Sequence, residues 1–308
     1  MGELGIVLPA RQGELQKIGD YARLAERAGF SGVFATEAFI DSLAVSLQAA
    51  LATERITIGT AITNLYYRHP ALVGPAASHI QELSGGRMAL GLGTSHQVIN
   101  APRGIDINKP LATMRDYVQE TKKYVFGDPP PSIHLAALRR GMTRLAGEIA
   151  DGVILNMVAR DRLPDSVAAF REGAARRSDG NANLTVASFL TVCVADDVAA
   201  ARAVCRQGVA FYCRMEFYRN VLTETGFGPQ AEEAGRAWEA NDEGKALGAI
   251  DDAMVEQHAV FGPVEQCRDR IQEYFNAGLD RIIISPRVAE GDSRNPFDVV
   301  VNALGPGA

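Results

Sequence analysis

Leu83-Ser84-Gly85-Gly86-Arg87-Met88-Ala89-Leu90-Gly91-Leu92-Gly93-Thr94-Ser95-His96 reads as a helix end, a buried strand and a polar glycine loop in succession. Gly85 and Gly86 supply the left-handed residues on which a helix stops, and Met88 to Leu92 is a short apolar run. Gly93 to His96 makes a flexible strand end that carries two hydroxyls and an imidazole. An active-site βα loop is written in this way.

Outward from this stretch the same unit recurs. Apolar runs suited to buried parallel strands occur at Gly5 to Pro9, Gly32 to Thr36, Ile56 to Thr63, Met88 to Gly93, Ile133 to Leu138, Gly152 to Asn156, Leu184 to Ala195 and Arg281 to Ser285. Helical patterns lie between them. Ile18, Tyr21, Ala25 and Ala28 form one apolar stripe, Cys267, Ile271, Tyr274 and Phe275 another, and Gly29 and Gly278 fall at helix ends. Eight strands alternating with helices predict an α/β fold, a closed (β/α)8 TIM barrel, over residues 1–308 as a single domain. An open doubly wound sheet has the same alternation, but no GxGxxG follows a first strand. Residues 199–258 are helical in pattern and interrupted by Gly226-Phe227-Gly228-Pro229, which predicts two or three helices inserted before the last βα unit. Such an excursion either closes over a ligand or builds an interface between subunits. Asp128-Pro129-Pro130-Pro131 is a stiff, short turn into the fifth strand.

Composition narrows the function. With 47% apolar and 22% charged residues the chain is an ordinary globular protein, and a net charge of -6 argues against nucleic acid as a partner. Cys193, Cys205, Cys213 and Cys267 lack metal-ligand spacing and read as reduced core thiols. His69, His79, His134 and His258 show neither HxH nor HExxH spacing, so no metal site is expected. Neither a signal peptide at Met1 to Pro9 nor an apolar run of roughly eighteen residues is found, which predicts a cytoplasmic protein free of membranes.

In a (β/α)8 barrel the functional side chains gather where the strands finish. Those ends are Thr36-Glu37, Ala61 to Asn64, Gly93 to His96, Leu138 to Gly141, Asn156 and Ser285, a set rich in hydroxyls and amides. Glu37 has no acidic partner at another strand end, against glycosidase chemistry, and a hydrolase or aldolase lacks its metal cluster or strand-end lysine.

Three of these segments carry a resemblance. Gly59-Thr60-Ala61-Ile62-Thr63-Asn64, Tyr66 to Pro70 and the opening stretch together resemble the bacterial-luciferase-like flavin and deazaflavin oxidoreductases, most closely the branch that uses coenzyme F420 and includes the methylenetetrahydromethanopterin reductases. The resemblance covers Gly5 to Asn156 well and Val260 to Pro286 fairly. It implies a bulge with a non-prolyl cis peptide at Ala61-Ile62, against which the cofactor ring leans, with Thr60, Thr63 and Asn64 at the ring's polar edge. It also implies that Thr36 and Glu37 lie beside the cofactor and that Gly93, Thr94 and Ser95 sit under its ribityl phosphate and pyrimidine edge. After the fifth strand the family binds the cofactor phosphate at a helix N-terminus, here Arg139, Arg140 and Gly141. Relatives have Gly-Pro where this chain has Arg139-Arg140, so the arginines are candidates to pair with the phosphate or with the deazaflavin's polyglutamate tail.

The implied activity is an F420-dependent oxidoreductase that moves hydride between the deazaflavin and a small organic substrate, with His96 and Glu37 as proton donor or acceptor. The alternatives are an FMN-dependent luciferase-like monooxygenase and a non-catalytic flavin-binding relative. Sugar-phosphate dehydrogenases of the family use a His and a Glu where this chain has Ala38 and His96, so that activity is not implied. The short connection from Phe126 to Ile133 implies an open pocket, and small residues at Ala71 to Ala77 suit a homodimer packed through barrel helices.

Overall fold

The computed structural model describes residues 2–37, 40–180 and 183–307; Ala38 lies outside them. Ten strands run in the order β1 (Glu3–Val7), β2 (Gly32–Ala35), β3 (Thr57–Thr60), β4 (Thr63–Asn64), β5 (Met88–Gly93), β6 (Ser132–Ala137), β7 (Gly152–Asn156), β8 (Thr185–Val194), β9 (Ala259–Gly262) and β10 (Arg281–Arg287). All pair in parallel, and because β10 bonds to β1 on one side and to β8 on the other, the sheet closes on itself. The ring holds eight staves, with β3 and β4 forming one broken stave and β9 attached outside it along the late half of β8. The expected barrel is therefore present, and β9 is an addition to the expected strands.

Fourteen helices accompany the strands among the described residues: α1 (Ile18–Arg27), α2 (Ser42–Ala52), α3 (Pro70–Leu83), α4 (Gln97–Asn100), α5 (Pro110–Tyr124), α6 (Arg140–Ile149), α7 (Leu163–Ala174), α8 (Val198–Tyr212), α9 (Glu216–Glu224), α10 (Gly228–Glu239), α11 (Glu243–Gly248), α12 (Asp252–His258), α13 (Val264–Asn276) and α14 (Pro296–Leu304). The segment after β8 holds five helices, α8 to α12, where two or three were expected; the extra breaks fall at capping aspartates, Asp242 and Asp251, whose side chains accept from backbone N–H groups. α3 begins on His69 and Pro70 and stops at Gly85 and Gly86, both at positive φ, with Gly86 N–H bonded back to the Gln81 carbonyl.

Alternate strand residues face two different cores. Ile6, Val33, Ile58, Leu90, Leu135, Val153 and Ile282 point outward into the layer between sheet and helices. Phe34, Ile154, Ala187 and Ile283 point inward and fill the barrel. The Phe34 ring occupies space that Gly5 and Gly59 leave, since a Cβ on either would lie within 2.5 Å of it. A third cluster, with Cys205, Cys213, Tyr218, Leu222 and Met254, is the separate core of the α8–α12 excursion. All four cysteines are buried and free. Among the described residues no helix is long and apolar enough to cross a membrane. The small residues of α3 are engaged within the chain: a side chain on Gly74 would strike Thr121 and Tyr124 of α5. They therefore explain helix packing in the barrel and do not by themselves mark a dimer face.

Candidate active site

The broken stave shapes one wall. Gly59 pairs with Ala89 and Thr63 with Leu92, so four steps along β3 and β4 match three along β5, which defines a bulge. Within the bulge the Ala61–Ile62 peptide is cis. The Thr60 hydroxyl donates to the Gly91 carbonyl at 2.8 Å and accepts from the Gly91 N–H at 2.9 Å, bonding the bulge to β5. Gly91 has no alternative here, because a Cβ would come within 2.0 Å of the Thr60 carbonyl oxygen.

At the C-terminal ends of the strands opens a cavity of about 1080 Å³. Thr36, Glu37, Ala61, Ile62, Thr94, Ser95, His96, Arg139, Arg140, Gly141 and Asn156 all line it. The fold thus brings residues from five separate strand ends to one cavity. Ser285, also a strand-end residue, is not in its lining.

Thr60, Thr63, Asn64 and Gly93 stand behind that wall. Thr63 Oγ1 is bonded to Ser42 Oγ at 2.8 Å, and Asn64 Nδ2 donates to Asn100 Oδ1 at 2.9 Å while its Oδ1 accepts from Tyr66 N–H. Their polar atoms are used in building the bulge, and the side-chain contacts to a cofactor edge expected of Thr60, Thr63 and Asn64 are not available. Gly93 leaves room for Ile62, whose side chain would meet a Cβ there at 2.6 Å.

Glu37 differs from its expected role. Its carboxylate is buried, pairs with the Arg68 guanidinium, and accepts from Asn64 N–H at 2.6 Å and Ser42 N–H at 3.4 Å. With both oxygens engaged it anchors the loop that enters β4. Arg68 also reaches Asp41 at 2.9 Å, and these two carboxylates raise its pKa against the lowering effect of burial.

His96 caps the short α4 with its backbone, and its ring in the cavity lies tilted to Tyr218 at 5.2 Å and edge-on to Tyr212 at 6.4 Å, centroid to centroid. Burial pulls its pKa below the ordinary 6.5, so the imidazole is neutral at neutral pH. It is set up to accept a proton or a hydrogen bond, not to titrate at neutrality. The preceding Ser95 holds φ 55°, and Met157, next to Asn156, holds φ 51°. Left-handed backbone at two non-glycine residues beside the cavity is the kind of local constraint that gathers at functional sites.

Arg139 pairs with Glu224 at the end of α9, and Arg140 with Glu172 of α7 at 2.7 Å. Neither side chain caps α6, whose N-terminus faces the cavity through Gly141. The excursion contributes Tyr212, Met215, Phe217 and Tyr218 to the cavity lining. Of the two roles open to residues 199–258, covering a ligand cavity is the one these positions fill. Tyr212 and Tyr218 had no sequence signal beyond aromatic character in a helical segment, because only the fold carries them to Asn156, which donates to Tyr212 Oη at 3.3 Å and Tyr218 Oη at 3.1 Å.

Comparison with known proteins agrees with this architecture. The model of the luciferase-like monooxygenase family matches residues 2–281. A 5,10-methylenetetrahydromethanopterin reductase of Methanolobus tindarius is 28% identical over 291 residues, covering 87% of this chain and 89% of that protein. An uncharacterized protein of Mycobacterium tuberculosis is 30% identical over 305 residues, covering 88% and 90%. Among solved structures, the coenzyme F420 dependent tetrahydromethanopterin reductase from Methanopyrus kandleri superposes with a TM-score of 0.79 at 23% identity, over 98% of each chain. A closed barrel broken by a bulge in its third stave, together with a family match that spans nearly the whole chain, establishes that this protein belongs to the luciferase-like monooxygenase family.

Proposed function

We propose that this chain is an F420-dependent oxidoreductase that passes hydride between a deazaflavin and a small organic substrate. The observation that carries the reading is the cavity itself, which Ala61 and Ile62 of the bulge, the aromatic Tyr212, Phe217 and Tyr218, and the start of α6, without a side-chain cap and beside two arginines, all line. About 1080 Å³ is ample for a tricyclic ring with a ribityl phosphate chain, and the lining surface is more apolar than polar, as in cofactor sites. The residues present fit the group. When bound, the deazaflavin supplies the ring carbon that gives or takes hydride.

The chain supplies the rest. Ala61 and Ile62 leave a flat ring close access to the backbone, Thr36, Thr94 and Ser95 offer hydroxyls, and the first turn of α6 with Arg139 and Arg140 attracts a phosphate or an anionic tail. The neutral His96 accepts or relays the proton that accompanies hydride transfer. Glu37 positions the β4 loop and is not assigned the proton. The likeness in fold to the coenzyme F420 dependent tetrahydromethanopterin reductase supports F420 over FMN as the ring that binds.

Titration of the purified protein with F420 and with FMN, followed by fluorescence, tests the reading. Tighter binding of F420 is expected, and saturable binding of FMN alone overturns it. The proposed assembly is a cytoplasmic homodimer; sedimentation showing only monomer at micromolar concentration overturns that.

A further inference from the structure

Asn156, Tyr212 and Tyr218 form a polar group that the proposed activity does not yet use. Asn156 ends β7, and its side-chain Nδ2 donates to both phenol oxygens, at 3.3 and 3.1 Å. An amide nitrogen has two hydrogens, one for each phenol. Each phenol oxygen therefore accepts, and its own hydrogen is left to be given. One phenol can donate to the other only if the other does not donate back. At least one O–H is then without an acceptor among the described residues, and both side chains line the cavity. The rings lie 4.5 Å apart, and the one nitrogen that both oxygens accept from keeps the oxygens together. Burial raises the pKa of both tyrosines, so both remain protonated donors.

The surroundings restrict what these donors meet. Ile62, Leu138, Ile154, Phe189 and Met215 supply apolar lining to the same cavity, and of its charged lining residues Arg139 and Glu224 pair with each other. Fixed donors in an apolar site are most effective where negative charge grows on an oxygen. A cationic C=N acceptor loses charge on receiving hydride and gains nothing from them. A carbonyl acceptor gains charge on its oxygen and is stabilised directly.

We propose that Tyr212 and Tyr218, aimed by Asn156, form an oxyanion-binding pair that selects a small uncharged ketone or aldehyde as the hydride acceptor. This rests on the oxidoreductase reading above. The new C–H bond forms with the electron pair of the hydride, which comes from the reduced deazaflavin, oxidised in the exchange by two electrons. The C=O π pair moves onto oxygen, which takes the proton of the phenol it faces, and His96 relays a proton from water at the cavity mouth back to that phenol. One carbonyl, one hydride and one proton become one alcohol.

The test uses 4-nitrophenol with the cofactor-free protein, since its phenolate oxygen imitates the charged oxygen of the step. Wild type is expected to bind it as the yellow phenolate at a pH where the free probe is mostly protonated. Tyr212→Phe and Tyr218→Phe should each weaken phenolate binding about tenfold. Asn156→Asp keeps the shape but turns both phenol hydrogens toward its carboxylate, and should abolish phenolate binding. Circular dichroism identifies any variant that fails to fold; if Tyr218→Phe does so, Tyr212→Phe and Asn156→Asp carry the test. Wild-type affinity in folded Tyr212→Phe and Asn156→Asp, or capture of the neutral phenol only, overturns the proposal. The F420 titration is separate: phenolate binding without F420 binding removes the cofactor reading and leaves the oxyanion pair standing. With F420 bound at saturation, the Phe variants should lower kcat for cyclohexanone reduction, and an unchanged kcat counts against the pair.

Discussion

The Glu37 carboxylate and the Arg68 guanidinium form an ion pair behind the bulged stave, with the Glu37 side chain 3% and the Arg68 side chain 18% exposed. The pair ties the end of β2 to the loop after β4, and Glu37 also receives the Asn64 N–H, so one carboxylate holds both sides of the bulge in register. Removing one charge of a buried pair leaves the other uncompensated.

Glu37→Gln should therefore destabilise the protein by about 3 kcal/mol, near the low end for such pairs because Arg68 keeps Asp41. Denaturant unfolding measures this. A change in midpoint equivalent to less than about 0.5 kcal/mol would show that the pair contributes little to holding the bulge.

His96→Ala should leave F420 affinity within a few fold and slow single-turnover hydride transfer by about a hundredfold. Because burial lowers the pKa of this imidazole, the wild-type rate should be level above pH 6.5 and fall only on the acid side. A variant with the wild-type rate and profile would assign the proton to water.

Replacing Arg139 and Arg140 together by Ala should weaken F420 binding about tenfold, with a smaller effect at high salt. Since Arg139 already pairs with Glu224, Glu224→Gln should release it and tighten binding of the anionic cofactor. Isothermal titration of the three proteins decides; equal affinities would confine both arginines to surface ion pairs.

Stability should fall as pH drops from 6.5 toward 4. Burial holds His134 and His258 at a pKa of about 4, so between 4 and 6.5 the unfolded chain binds protons that the folded chain does not. Each contribution is complete above 6.5 and lost as pH falls through this window, by roughly 2 kcal/mol per histidine at pH 5. His258→Gln should flatten the slope between pH 7 and 5 relative to wild type, and an unchanged slope would mean that His258 is not held neutral.

The barrel was legible because its strands are buried on both faces and so appear as unbroken apolar runs. Met88–Gly93 and Gly152–Asn156 match their sequence bounds, and Gly85 and Gly86 end α3 where expected. β9 was missed because four apolar residues between two helices look like either state. The stave read as continuous from Ile56 to Thr63 is broken at Ala61–Ile62, as the family resemblance implied and periodicity did not.

By itself the sequence determined the closed barrel, the face on which its strand ends meet, and the glycine loop that sets His96 there, since local patterning and chain order suffice for these. Only the tertiary structure decided that Glu37 belongs to Arg68, that Thr60 belongs to Gly91, and that Tyr212 and Tyr218 converge on Asn156. The physical reason is the separation along the chain: partners 31, 56 and 62 residues apart leave no mark in a local pattern. What a polar side chain does in the site depends on which partners have already taken its hydrogen bonds.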